Sequence, residues 1–134
     1  MLNLLKNEIF VMIQPLYLLK MKGSDEMNEW QDISADELLK LMDEGKLQRE
    51  QVIDVRELHE WEYYHLESSL LIPMNSIPHR LGELDDDKPL YIVCAHGVRS
   101  AAVCRYLQEQ GYGSLHNVEG GMAAIALLQG FQYD

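Results

Sequence analysis

Pro89-Leu90-Tyr91-Ile92-Val93 is an unbroken apolar run that stops at a cysteine, in the stretch Cys94-Ala95-His96-Gly97-Val98-Arg99-Ser100. A short run apolar on both sides predicts a buried strand of a parallel sheet. From Ser100 to Gln110 apolar side chains recur at helical spacing, and Gly111 supplies a C-terminal stop. The cysteine therefore falls at the carboxyl end of a strand, on a loop that opens a helix. Open α/β sheets place their ligands there. Such a loop turns backbone N–H groups inward, and the helix adds the positive end of its dipole. Both favour an anion, and the nearest potential anion is the Cys94 thiolate.

Most lone cysteines are inert core residues. Cys94, however, ends its apolar run, and is followed by Gly97, which permits a tight turn, and by Arg99, a permanent cation. That setting favours a reactive site.

The rest of the chain alternates strand and helix signals. Trp30 to Ile33 reads as a first strand. Ser34 then caps a helix, with Glu37 completing a capping box, Leu38, Leu41 and Met42 as the apolar stripe, and Gly45 as the stop. Gln51 to Val55 is a β-branched, central strand, interrupted near its carboxyl end by Asp54, on the same sheet edge as Cys94. A short helix is expected over Glu57–Tyr64 with Trp61 and Tyr64 packing inward, a strand over Leu70–Pro73, and a capped helix over Ser76–Leu84. Asp85-Asp86-Asp87 reads as a solvated loop. Ser114 to Val118 supplies the last strand, and Gly120-Gly121 turns into a helix running to Leu128. The pattern predicts a doubly wound α/β domain.

Residues 1–27 differ from this. Gln14-Pro15 splits their apolar stretches, and the run falls short of the roughly 20 residues that span a bilayer. They are expected to form a loosely attached extension ahead of a domain over residues 28–134, with an export or membrane-anchor role as the minority reading.

The Cys94 stretch resembles the active-site loop of the rhodanese family, the single-domain sulfurtransferases. Three further stretches resemble that family in the same order. They are Val52-Ile53-Asp54-Val55-Arg56-Glu57 with Glu60-Trp61-Glu62 and His65-Leu66; Ile72-Pro73; and Val118-Glu119-Gly120-Gly121 with Ala124. The resemblance covers about Glu29 to Leu128 and implies a mostly parallel central sheet of about five strands flanked by helices. The sequence departs from the family at Tyr64 and Glu67 around His65, where small residues are favoured, and at Ile125, where tryptophan is common. His65 is expected to shape its turn rather than act as a base.

The resemblance implies that Cys94 takes a sulfane sulfur from a donor such as thiosulfate, becomes a persulfide, and passes the sulfur to cyanide or a thiol. Ala95, His96, Gly97, Val98, Arg99 and Ser100 would form the binding loop. Arg99 would hold the donor's oxygens and Val98 would line the pocket. His96 is either a donor or a loop-shaping residue, and Ser100 either caps the helix or hydrogen-bonds within the loop. Asp54 and Arg56 would orient neighbours. No cofactor and no metal are implied. A protein acceptor, in a persulfide relay for cofactor or RNA thiolation, uses the same loop. Cysteine-dependent phosphatases are the enzyme rival, but they carry five residues between cysteine and arginine, where this chain has four, Ala95 to Val98. Rhodanese-like binding modules typically lack the cysteine.

The net charge of −11 opposes a nucleic-acid partner and makes any anion site depend on local dipoles and Arg99. Two cysteines form neither a disulfide framework nor a zinc pattern, so a reducing cytoplasm is the expected location. Cys104, in the Val103, Cys104, Leu107 stripe, reads as core, with a resolving thiol as the lesser option.

Overall fold

The computed structural model of the chain describes residues 29–133. The predicted 1–27 extension lies outside the described residues. Five strands form one sheet: β1 (Gln31–Ile33), β2 (Val52–Asp54), β3 (Leu70–Leu71), β4 (Leu90–Val93) and β5 (Leu115–Val118). Their order is β1-β5-β4-β2-β3, and every pairing is parallel. The α-helices are α1 (Ala35–Asp43), α2 (Leu58–Tyr63), α3 (Val98–Glu109) and α4 (Gly121–Leu128). This is the five-stranded α/β architecture expected from the sequence.

Alternation along the central strands splits the core into two layers. Ile53, Leu90, Ile92 and Leu115 pack with Val103, Cys104 and Leu107 of α3. Val52, Tyr91, Val93 and Val118 face the other way, onto Leu38 of α1 and Met122 and Ile125 of α4. Both faces are covered, so β4 is buried along its whole length, which is why its sequence is apolar throughout. Ile125 is fully buried in the second layer.

Several local expectations hold. The Ser34 hydroxyl accepts from the Glu37 N–H at 3.3 Å, although the reciprocal half of the expected capping box is not made. Gly111, just past the Gln110 C-cap of α3, has φ +99°. His65 shapes its turn: its Nδ1 lies 2.6 Å from the Trp61 carbonyl and its ring stacks on the Trp61 indole at 3.8 Å. Trp61 and Tyr64 are only half-buried, so α2 lies on the domain rather than in it.

One element differs in kind. Instead of a helix over Ser76–Leu84 the chain makes two short 3-10 segments, Met74–His79 and Leu81–Glu83, parted at Arg80 with φ −123°. Pro78 lies inside the first and has no N–H with which to close an α-helical bond, so the tighter winding takes over. Ile77 and Leu84 still reach the core.

Gly121 fixes how closely α4 approaches β4. Its φ is +57°, and a Cβ there would lie 2.3 Å from the Cys94 carbonyl oxygen and 2.6 Å from the Ala95 carbonyl carbon. Gly45 has φ +69° but open space around it. Gly45→Ala should therefore cost only the left-handed penalty, about 1–2 kcal/mol. Gly121→Ala should cost clearly more, because a backbone overlap is added. Urea unfolding of the two variants measures the difference, and equal losses would mean that α4 is free to back away.

Candidate active site

The loop after β4 wraps round the Cys94 sulfur. Gly97 takes φ +98°, a left-handed value that ends the loop and serves as the N-cap of α3. Its N–H donates to Cys94 Sγ at 3.1 Å, and the Ser100 hydroxyl lies 3.2 Å from the same sulfur. Burial pushes the Cys94 thiol up. The backbone N–H groups of Ser100, Gly97 and His96, together with the Ser100 hydroxyl whenever its hydrogen turns to the sulfur, outweigh burial and hold it below its ordinary value of 9.0. Cys104 shows the contrast. It is fully buried and lacks such a cradle, and burial first, with the charges of Asp32 and Cys94, pushes it up to about 12.

The loop is braced from behind by α4. The Met122 N–H donates to the Cys94 carbonyl at 2.8 Å and the Ala123 N–H to the Ala95 carbonyl at 3.0 Å. Two N–H groups of the first turn of a helix, which have no partner within it, are satisfied by the carbonyls of the cysteine loop. Ala95 is buried, whereas His96 is exposed and Val98 is 78% exposed, so these two stand at the rim. Of the two roles open to Ser100, the structure has the hydrogen-bonding one, since Gly97 occupies the cap position.

Arg99 projects from the first turn of α3 to α2. Its Nη1 and Nη2 donate to Glu60 Oε1 and Oε2 at 2.8 and 2.9 Å, a bidentate pair. The hydrogen bond from Arg99 holds the Glu60 carboxyl down at about 2. The same bond raises Arg99, helped by the Cys94 charge. Two of the five guanidinium N–H groups are spent on Glu60, and the others make no hydrogen bond among the described residues.

Asp54 and Arg56 form a completely buried ion pair at 2.8 Å. Burial pushes the Arg56 guanidinium down, but the Asp54 hydrogen bonds and charge outweigh it and leave it raised. The remaining Arg56 donors reach the Glu60 carbonyl at 3.3 Å, the Tyr64 carbonyl at 2.7 Å and the Tyr133 hydroxyl at 3.1 Å. The pair thus pins α2, and α2 carries Glu60 to Arg99. The side-chain hydrogen bonds of Asp54 and Arg56 go to one another, to α2 and its C-cap and to Tyr133, and none reaches the cysteine loop itself.

Sequence reasoning singled out neither Glu60, Asn117 nor Tyr133. Glu60 was visible only as one acid of a matching stretch. Asn117, on β5, accepts from the Ser100 hydroxyl at 2.5 Å. Its signal was a polar residue near the end of a buried strand, the same signal that marked Asp54. Tyr133 brings its ring within 6.1 Å of the His96 ring, a contact no local pattern announces.

Fold and site together define a parallel α/β domain that holds one cysteine sulfur in a cradle of backbone N–H groups at the carboxyl edge of its sheet. The sequence pattern of the rhodanese-like domain family matches residues 34–127, and the chain belongs to that family. It is 33% identical over 95 residues to the thiosulfate sulfurtransferase GlpE of Pseudomonas syringae pv. syringae, covering 71% of this chain and 86% of that one. It is 44% identical over 73 residues to the putative sulfurtransferase YtwF of Bacillus subtilis, covering 54% and 70%. Among solved structures, a rhodanese-like domain protein from Staphylococcus aureus superposes with a TM-score of 0.66 at 41% identity, covering 71% of this chain and 90% of that one.

The Glu60–Arg99 pair has a defined pH signature. Glu60 is lowered from 4.5 to about 2, so its contribution to stability is complete above about 4.5 and is lost as pH falls toward 2. Glu60→Gln should remove that segment of the acid-unfolding curve. Thermal melts of parent and variant should differ most above pH 4.5 and converge near pH 2. A constant gap across that window would mean that the pair does not couple to folding.

Proposed function

We propose that the chain is a rhodanese-type sulfurtransferase that moves a sulfane sulfur from a thiosulfate-like donor to a thiol or cyanide through a persulfide on Cys94. The observation that carries this is the loop itself. A buried Sγ sits 3.1 Å from the Gly97 N–H, with the His96 and Ser100 N–H groups turned to the same sulfur. The names of the relatives support the sulfurtransferase class.

In the first half-reaction the Cys94 thiolate attacks the outer sulfur of thiosulfate. A new S–S bond forms at Cys94, the donor's S–S bond breaks, and sulfite leaves with the bonding electron pair. The negative charge now rests on the terminal persulfide sulfur, still within reach of the loop N–H groups. In the second half-reaction an acceptor anion attacks that terminal sulfur and Cys94 departs as thiolate, which restores the site. Cyanide becomes thiocyanate, and a thiolate becomes a persulfide. The sulfane sulfur itself brings the oxidising equivalent to Cys94 in the first half and carries it away in the second, so neither half needs an outside oxidant.

Arg99 supplies the donor's counter-charge, held in place by Glu60 and presenting its remaining N–H groups. His96 and Val98 at the rim meet the incoming molecule. Four residues between Cys94 and Arg99 favour sulfur over phosphate, which needs a wider cradle. The described residues contain no helix long and apolar enough to cross a membrane.

Intact-mass spectrometry tests the reading. Thiosulfate should add one sulfur atom, cyanide should remove it, and Cys94→Ser should prevent the addition while Cys104→Ser should not. Hydrolysis of aryl phosphates by a parent protein that never gains sulfur would sink it. Arg99→Ala should weaken thiosulfate use by roughly 1.5–3 kcal/mol, the worth of a hydrogen bond to a charged group. Arg99→Lys should recover part of that, because it keeps the charge and loses the fork. If both variants turn over thiosulfate like the parent, Arg99 is not a donor ligand.

A further inference from the structure

Asn117 does not hydrogen-bond to Cys94, yet it ties together three parts of the site. Its Oδ1 accepts from the Ser100 hydroxyl at 2.5 Å, and its Nδ2 donates to Asp32 Oδ1 at 3.3 Å and to the Gly97 carbonyl at 3.4 Å. The amide can face only one way. Reversed, its oxygen would meet two acceptors, the Asp32 carboxylate and the Gly97 carbonyl. Strand pairing enforces the arrangement, since Asp32 and Asn117 are register partners on adjacent parallel strands.

An amide oxygen only accepts, so the short Ser100–Asn117 contact uses the hydrogen of Ser100. A serine hydroxyl has one hydrogen. While it points at Asn117, Ser100 Oγ can offer Cys94, 3.2 Å away, only a lone pair. That suits an S–H thiol and does nothing for a thiolate. For Ser100 to donate to the thiolate it must abandon Asn117 Oδ1, which is buried and would lose its bond.

We propose that Asn117 is a positioning residue that withholds the Ser100 proton from the Cys94 thiolate. The charge is left to the backbone N–H groups of the loop, and the thiolate stays basic and strongly nucleophilic. This rests on the sulfurtransferase reading of Cys94. Its chemical sense lies in the persulfide cycle: when the terminal sulfur takes the charge, Sγ becomes neutral and Ser100 need not reorient. The charged and titratable groups around the sulfur are His96 on the loop, Arg99 and Cys104 on α3, Glu60 on α2, Asp32 on β1, and Tyr133. A substitution at position 117 removes none of them.

The pH dependence of Cys94 alkylation by iodoacetamide, followed by peptide mass on the full chain, tests the proposal. Cys104 is silent because it is buried and pushed up to about 12. Asn117→Ala frees the Ser100 proton, so the midpoint should fall by about one pH unit as a charge-assisted bond is gained. The rate plateau at high pH should fall about threefold, because a thiolate's nucleophilicity declines with its pKa. With Ser100→Ala as the reference, adding Asn117→Ala should produce no further fall. Asn117→Leu, which fills the space without an acceptor, should match the alanine variant and serves if that one does not fold. A midpoint that is unchanged or raised in a folded variant would overturn the proposal, as would a fall that persists without Ser100. Alkylation does not depend on sulfur transfer. If these shifts occur and thiosulfate never adds sulfur, the role of Asn117 stands and the sulfurtransferase reading fails; sulfur transfer without the shifts is the reverse.

Discussion

The site depends on a contact between two backbones. The first turn of α4 presses against the carbonyls of Cys94 and Ala95, and two N–H groups of that turn bond to them. Contact at that distance is possible only where Gly121 carries no side chain. A helix start ordinarily leaves its N–H groups to solvent, a cap or a ligand. Here they are spent on the chain itself, and the gain is a loop whose carbonyls are fixed outward and whose own N–H groups are turned toward Sγ. The anion-favouring cradle round the sulfur follows from that orientation.

A second line of force reaches the loop from the opposite direction. The buried Asp54–Arg56 pair would be costly by itself, since both ions leave water. Arg56 offsets the cost by satisfying carbonyls at Glu60 and Tyr64, and in doing so it sets the position of a helix with no buried side chain of its own. Without that attachment α2 would have little reason to stay where it is. With it, Glu60 is delivered to Arg99, and a guanidinium on α3 acquires a fixed direction. Hydrophobic packing builds the two layers of the domain, but polar contacts decide where the reactive groups point.

What was legible in the sequence was local. The apolar run into Cys94, the Ser34 cap and the helical stripe of α3 each depend on residues within a turn or two of one another, and each is present in the fold. The stretch from Ser76 to Leu84 has the apolar spacing of one helix, but Pro78 denies it an α-helical bond and the chain winds as two 3-10 segments instead. The couplings that tune the site were out of reach for another reason. Glu60 and Arg99 lie 39 residues apart, and Ser100 and Asn117 lie 17 apart. Their meeting is a property of the parallel topology, which a periodicity cannot encode. A polar residue near the carboxyl end of a buried strand was the usable clue, followed at Asp54 and passed over at Asn117.

The placement of Cys104 sets the economy of the whole molecule. The sequence holds two cysteines, and the second is sealed inside the α3 layer with its thiol held protonated. A sulfur atom loaded on Cys94 would therefore have no exit within the chain, since no second thiolate is at hand to strip it away as a disulfide forms. The cargo would wait for a molecule from outside, and the lifetime of the loaded state would be set by the supply of that molecule. A domain built this way would work as a one-place carrier, filled and emptied only through its mouth.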